Sequence, residues 1–286
     1  MLHLVIEAKP GDRGEGLAPP PWRPFLAAVG TLAMVGVLGL AMTAYVALRT
    51  SRGLRLDQQA MDSVSSPALT LHRLYDGLGW VSVGSVGLSL LACVTLALMR
   101  RRLDLALCAC VVIGGANLTT QFLKYDFFPH FDLRGGPFGL PSGHTTVALS
   151  VALAAVIVAS PLWRSAVAIG VTGTATLVGV ATVLGRWHRP SDVVAATFVC
   201  VLWAAVGMLV AALVRERPPV LEGGVPVQLW SLFGASLVGG LLVSWGVRPQ
   251  PGLRDLGLGV ISLGSIGLAC AVSVASVAIV ADRHLG

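Results

Sequence analysis

Long apolar stretches separated by short polar ones run through almost the whole chain. Eight of them contain no Asp, Glu, Lys or Arg: 25–48, 77–99, 105–123, 145–163, 165–185, 193–214, 225–247 and 256–281. A helix crossing a bilayer needs about 20 such residues, and backbone in lipid must satisfy its own hydrogen bonds. The pattern therefore predicts an all-α, polytopic transmembrane helix bundle of about eight spans. Gly and other small residues are frequent within the stretches, as close helix packing in lipid requires. Trp22, Trp80, Trp163, Trp187, Trp230 and Trp245 lie at or near the stretch ends, the interfacial position tryptophan favours; only Trp203 falls in mid-stretch. Residues 1–24 are polar and rich in proline. They lack the basic-then-apolar order of a secretory signal and read as a disordered tail. The mixed-charge segment 49–76 reads as a solvated connector, with a partly helical surface cap as the alternative.

Composition narrows the class. Of 286 residues, 55% are hydrophobic and 12% charged, where a soluble domain carries about 25% charged residues. Mean hydropathy is +0.80. An ordinary soluble domain and a disordered chain are both excluded. The net charge of +6 does not point to nucleic acid, because the basic residues are scattered singly between apolar stretches, with one cluster at Arg100–Arg102. The five cysteines sit inside apolar stretches at spacings that match neither a zinc site nor a disulfide framework. With the N-terminus inside, basic residues divide evenly between the two sides of the membrane. Setting aside Lys124, Arg134, Arg186 and Arg189 as members of a site leaves the excess inside, so both termini are expected to be cytoplasmic.

Two segments break the apolar pattern with ionisable groups. One runs from Lys124 through His130 and Arg134 to Pro141-Ser142-Gly143-His144. The other is Gly185-Arg186-Trp187-His188-Arg189-Pro190-Ser191-Asp192. Eight alternating spans put both on one side of the membrane, and facing ionisable groups at span ends are a functional-site hypothesis by default. His188 and Asp192 are four apart and share a helix face. The carboxylate is placed to hold one ring nitrogen and leave the other free to attack or take a proton. Pro190 suits the first turn of a helix. Ser142 suits a helix N-cap, Gly143 permits close backbone approach, and free N–H groups at a helix start attract anions. His144 on that first turn is placed to donate a proton. Lys124 adds positive charge, and it is notable because only positions 9 and 124 carry lysine. Taken one at a time, each is as well explained as an interfacial residue or a plain cap. Together they assemble an anion cradle, an oriented nucleophile and a second histidine as acid, which suits phosphoryl transfer through a phosphohistidine with neither metal nor cofactor.

The combination resembles the type 2 phosphatidic acid phosphatase (PAP2) superfamily, whose members carry Lys-x6-Arg-Pro, Pro-Ser-Gly-His and Ser-Arg-x5-His-x3-Asp. Pro141–His144 matches the second motif completely, His188 and Asp192 match the end of the third, and Lys124 matches the start of the first. The resemblance covers roughly 77–214. It implies a six-helix membrane core over 25–214, preceded by the tail 1–24 and followed by two additional transmembrane helices in 215–286. It further implies His188 as nucleophile, Asp192 as its orienting group and His144 as general acid and then base. Lys124, Ser142 and the Gly143 backbone would hold phosphate oxygens, in a pocket on the extracytoplasmic face of a bacterial-type plasma membrane. Two family arginines are absent: the Arg-Pro pair of the first motif would fall at Phe131-Asp132 and the Ser-Arg pair of the third at Ala181-Thr182. His130 or Arg134 is the expected stand-in for the first, and Arg186 for the second.

The expected activity is hydrolysis of a lipid phosphate or diphosphate, such as a polyprenyl (di)phosphate, phosphatidate or phosphatidylglycerol phosphate, with that lipid as the partner in the bilayer. The alternative is a catalytically degenerate protein that binds or moves an anionic lipid. A transporter fits less well, because no span carries the mid-membrane charge such proteins use.

Overall fold

In the computed structural model, the described residues are 22–79, 81, 83–130, 139–215 and 227–285. Among the described residues there are ten α-helices: α1 (Trp22–Arg49), α2 (Ser51–Asp62), α3 (Ala68–Gly79), α4 (Val83–Met99), α5 (Leu103–Phe122), α6 (Gly143–Val158), α7 (Pro161–Leu184), α8 (Pro190–Val214), α9 (Val227–Ser244) and α10 (Leu253–His284). One short antiparallel pair joins β1 (Val64–Ser65) to β2 (Arg248–Pro249). The architecture is the expected all-α polytopic bundle. Of the tail, only its last residues enter the described chain, at the start of α1.

All eight apolar stretches are helical along most of their length, but they are not eight equal spans. Among the described residues, six helices are long and apolar enough to cross a membrane alone: α1, α5 with its continuation to His130, α7, α8, α9 and α10. The stretch 77–99 is shared between the end of α3 and α4, which together make a seventh, bent span. The stretch 145–163 falls short. α6 stops at Val158 because Ser160 and Pro161 open α7, and proline is tolerated at a helix start but not within one. At 16 residues, α6 is about 24 Å long at 1.5 Å per residue. It is sheltered rather than exposed to lipid: Leu149, Leu153 and Ile157 are fully buried, and α4, α5, α7, α8 and α10 all pack on it.

Small residues set the helix spacing. A Cβ on Gly36 of α1 would lie 2.8 Å from Leu202 of α8, and one on Gly234 of α9 would lie 2.4 Å from the Ile169 carbonyl oxygen of α7. Polar groups inside the spans bond across helices. Thr120 and Thr146 share a hydrogen bond of 2.9 Å, and Asn117 donates to Ser150 at 3.2 Å. The mid-stretch Trp203 donates to Thr119 at 2.9 Å. That tryptophan is therefore an interhelical strut between α8 and α5, which accounts for its departure from the interfacial pattern.

α10 is not an appendage. Cys270, Val274, Val277 and Ala278 belong to the same buried core as α5, α6 and α8. Its C-terminal end is tied down by a basic network at the end of the bundle away from the two ionisable segments. Arg164, 2% exposed, pairs with Asp282 and donates to the carbonyls of Val156 (3.0 Å) and Ala159 (2.9 Å). Arg102 bridges Asp104 (2.7 Å) and the Leu285 carbonyl (2.8 Å).

Candidate functional site

α7 ends in a Schellman turn. The Trp187 N–H reaches back to the Thr182 carbonyl (2.9 Å) and the Arg186 N–H to Val183 (3.0 Å), the two bonds that define this helix stop. The His188 N–H shares the Thr182 carbonyl at 3.1 Å. The left-handed position of such a turn usually holds glycine. Here Gly185 comes one residue early, at φ −73°, and Arg186 takes the left-handed conformation at φ +58°.

α8 then starts with Pro190 in its first turn. His188, 5% exposed, and Asp192, fully buried, meet through Nδ1 and Oδ2 at 3.2 Å. The same Oδ2 accepts the Arg189 N–H at 3.2 Å, so Asp192 both caps α8 and orients His188. Asp57 on α2 supplies a second cap, accepting the Ser191 N–H (3.0 Å) and hydroxyl (2.6 Å). Two carboxylates thus face the positive end of the α8 dipole.

The other segment docks onto this start. The Ser142 N–H donates to the Asp192 carbonyl at 2.9 Å. Ser142 caps α6, its Oγ accepting from the Thr145 N–H (3.4 Å) and hydroxyl (3.1 Å). The Gly143 and His144 N–H groups precede the first intrahelical bond, which runs from the Thr146 N–H to the Ser142 carbonyl; such groups are left for caps or ligands. The His144 ring lies 5.4 Å from Trp187, which stacks on Tyr75 of α3 at 5.3 Å, and the Tyr75 hydroxyl donates to the Gly185 carbonyl at 3.2 Å. Tyr75, Trp187 and His144 form one aromatic wall.

Lys124 sits in a π-helical turn, Leu123–Phe127, that continues α5; such turns recur at functional sites. Its stem crosses Gly139, where a Cβ would come within 2.6 Å of the lysine Cγ. This brings Lys124 close to the Pro141–His144 turn, with its positive charge acting on the His144 ring.

The structure thus brings together Lys124, Ser142, Gly143, His144, His188 and Asp192. Arg186 stands apart from them and pairs with Asp62 of α2. Burial pulls the Asp62 carboxyl upward, but the Gln58 amide and the Arg186 guanidinium outweigh it and hold it below the usual carboxylate range. His130 ends a 3₁₀ turn and is exposed. Arg134 lies outside the described residues. Ala181 and Thr182, at the places of the Ser-Arg pair, are buried. Among the described residues, no cluster of three or more His, Cys, Asp or Glu side chains is arranged to hold a metal ion.

Two contributors escaped the sequence reading. One is the Tyr75–Trp187 wall. The other is α2, whose Asp57, Gln58 and Asp62 engage Ser191, Arg189 and Arg186 respectively. The signal was present in 49–76: Thr50 accepts the Gly53 N–H as an N-cap, and Gln58 and Asp62 lie one turn apart.

The segment 105–216 matches the family model of the PAP2 superfamily. The match runs from α5 through α8 and contains Lys124, Pro141–His144 and His188–Asp192. No curated protein and no solved structure matches the chain.

Proposed function

We propose, from the premise that residues 105–216 are a PAP2 superfamily segment, that this phosphatase-type membrane protein hydrolyses a lipid phosphate or diphosphate through a phosphohistidine. The observation that carries this is the buried His188–Asp192 pair, whose α8 start is hydrogen-bonded to the turn bearing Ser142, Gly143 and His144. With Asp192 accepting the Nδ1 proton, the network assigns His188 the tautomer whose Nε2 is unprotonated. Nε2 attacks phosphorus. The bond from phosphorus to the ester oxygen breaks, and His144 gives its proton to the departing oxygen. His144 then takes a proton from water as the water oxygen bonds to phosphorus and the phosphorus–nitrogen bond breaks, its electron pair returning to Nε2, which releases phosphate and restores His188. Lys124 and the free N–H groups of Gly143 and His144 face the anionic oxygens; stabilising charge where it develops is the largest single contribution available to such a site.

A lipid fits the surroundings. A cleft of about 500 Å³ lies between α3, α4, α6 and α7, lined by Leu74, Val147, Ala148, Val151, Val178 and Ala181. Ala148 is one helical turn beyond His144 on the same face of α6. The cleft is mainly apolar, with Arg73, Ser85, Ser89 and Thr174 also in its lining, so a tail can lie in it while the headgroup stays at the helix ends. A second cavity, of about 440 Å³, opens between α9 and α10 and touches none of the site residues. In this account α6, although short and sheltered, makes the eighth crossing, so that the headgroup faces the extracytoplasmic side and both termini are cytoplasmic.

The test is phosphate release by the detergent-purified full chain. The substrates are polyprenyl phosphate and diphosphate, phosphatidate and phosphatidylglycerol phosphate, in EDTA, with His188→Ala as control. The account requires release from at least one lipid and its loss in the variant. A second reading, a protein that binds such a lipid without turning it over, draws on Ala181 and Thr182 at the places of the Ser-Arg pair and on Arg186 paired with Asp62. Binding of a lipid phosphate without release by the folded protein would decide for it.

A further inference from the structure

We propose that Asp62 competes with substrate phosphate for Arg186, so that α2 is an acidic cap which surrenders this arginine when ligand binds. The inference rests on the reading of the site as phosphate-binding.

Three observations converge. First, Arg186 occupies the left-handed position of the α7 stop at φ +58°, where glycine would be unstrained and Gly185 is available one residue away. A non-glycine residue in that conformation is strained, and strain of this kind collects at functional positions. Second, the arginine lies two residues before His188 and beside Trp187, which forms the wall against His144. Its backbone is pinned close to the pocket while its side chain reaches outward to Asp62. Third, the two acids of α2 are held differently. Asp57 is engaged by both the N–H and the hydroxyl of Ser191 and serves as a fixed cap. Asp62 has Gln58 on one oxygen (3.1 Å) and Arg186 on the other, and its side chain and that of Arg186 are 47% and 55% exposed. An ion pair this open to water is weak. It opens readily and can be exchanged for a ligand oxygen, and Arg matches phosphate and carboxylate alike through its planar fork.

The consequence is a defined competition. A phosphate that recruits Arg186 must first separate it from Asp62, so its apparent affinity is reduced by the strength of that pair. Removing the Asp62 charge tightens phosphate binding by the same factor, about two- to fivefold for an exposed pair, and only while Arg186 is present.

The probe is inorganic phosphate, titrated calorimetrically into the detergent-purified full chain. Four proteins are compared: wild type, Asp62→Asn, Arg186→Gly and the double variant. Asn at 62 keeps an acceptor for Gln58, and Gly at 186 suits the left-handed turn, so neither change opposes the fold. Asp62→Asn should bind phosphate about two- to fivefold more tightly than wild type, Arg186→Gly more weakly, and the double variant should match Arg186→Gly. The gain from Asp62→Asn should shrink at high salt, as a contest among exposed charges must. Unchanged or weaker binding by Asp62→Asn overturns the proposal, as does a gain that persists without Arg186, and so does a lack of phosphate binding by all four proteins. Turnover separates this from the catalytic reading. Lipid phosphate hydrolysis with a flat phosphate cycle removes only the Asp62 proposal; the predicted cycle without hydrolysis removes only the catalytic reading.

Discussion

Replacing Asp192 by Asn separates orientation of the nucleophile from folding. The carboxylate is fully buried and its Oδ2 serves both His188 Nδ1 and the Arg189 N–H, each at 3.2 Å. Asn keeps the shape, and its carbonyl oxygen still accepts from Arg189, so the α8 cap survives. The negative charge is lost, and the same oxygen offers Nδ1 only a neutral acceptor, so the tautomer with Nε2 free is held less firmly and the cation that forms on attack is no longer stabilised. A hydrogen bond to a charged group is worth about 1.5–3 kcal/mol, so kcat should fall about 10- to 150-fold. KM should change little, because the Asp192 side chain holds His188 and the α8 cap while Ser142 bonds to its main-chain carbonyl, which the substitution leaves in place. Asp192→Ala is the contrasting variant: it also removes the cap, and should cost a further 0.5–2 kcal/mol or so of stability. The assay is the initial rate of phosphate release across a range of lipid phosphate concentrations, with melting temperature measured in the same detergent. If Asp192→Asn melts like wild type and keeps its kcat within about twofold, the orienting role assigned to this carboxylate is wrong.

Other consequences test the scaffold and the phosphate contacts. Gly234→Ala puts a methyl group 2.4 Å from the Ile169 carbonyl oxygen; backbone cannot yield as a side chain can, so a loss of about 1–3 kcal/mol should appear as a lower melting temperature, and an unchanged one would mean that α7 and α9 are not so close. Asp282→Asn leaves the buried Arg164 charge without its carboxylate and should cost about 3–5 kcal/mol, most of it recovered in Arg164→Met/Asp282→Leu; a variant as stable as wild type would contradict the anchoring of α10. Lys124→Ala should weaken inorganic phosphate binding and flatten its salt dependence, without lowering the melting temperature; equal affinity at low salt would remove Lys124 from the site.

The helical architecture was readable because lipid imposes a strong constraint: a long apolar run without charge has few alternatives to a helix. The main site was readable for a different reason. Ionisable residues are costly at membrane depth, so Lys124, His144, His188 and Asp192 stand out against an apolar background, and the i, i+4 spacing of His188 and Asp192 already fixes their shared face. What the sequence hid were partnerships between segments. α2 is separated from the α8 start by about 130 residues of chain, and nothing local reveals that Asp57 caps Ser191 or that Asp62 takes Arg186. The Arg186 expectation rested on helix periodicity continuing past Thr182, whereas the chain turns at Gly185 and directs the arginine toward α2. The place of α10 was equally hidden: a helix apolar on all faces shows no stripe to say which side meets protein and which meets lipid. Likewise the apolar run 145–163 predicts one helix reaching Trp163, since periodicity does not register the stop that Ser160-Pro161 imposes on an otherwise continuous apolar run.

The central claim is that His188 carries the phosphoryl group, and trapping that intermediate tests it most directly. The full chain would be mixed with a radiolabelled lipid phosphate that it hydrolyses, quenched within the first turnovers, and analysed for label on the protein. The account predicts label that is stable to alkali and lost in acid, as a phosphorus–nitrogen bond is, mapping to the peptide containing His188 and absent from His188→Ala. Phosphate release at an undiminished rate by His188→Ala, or label that maps to another residue, would contradict it.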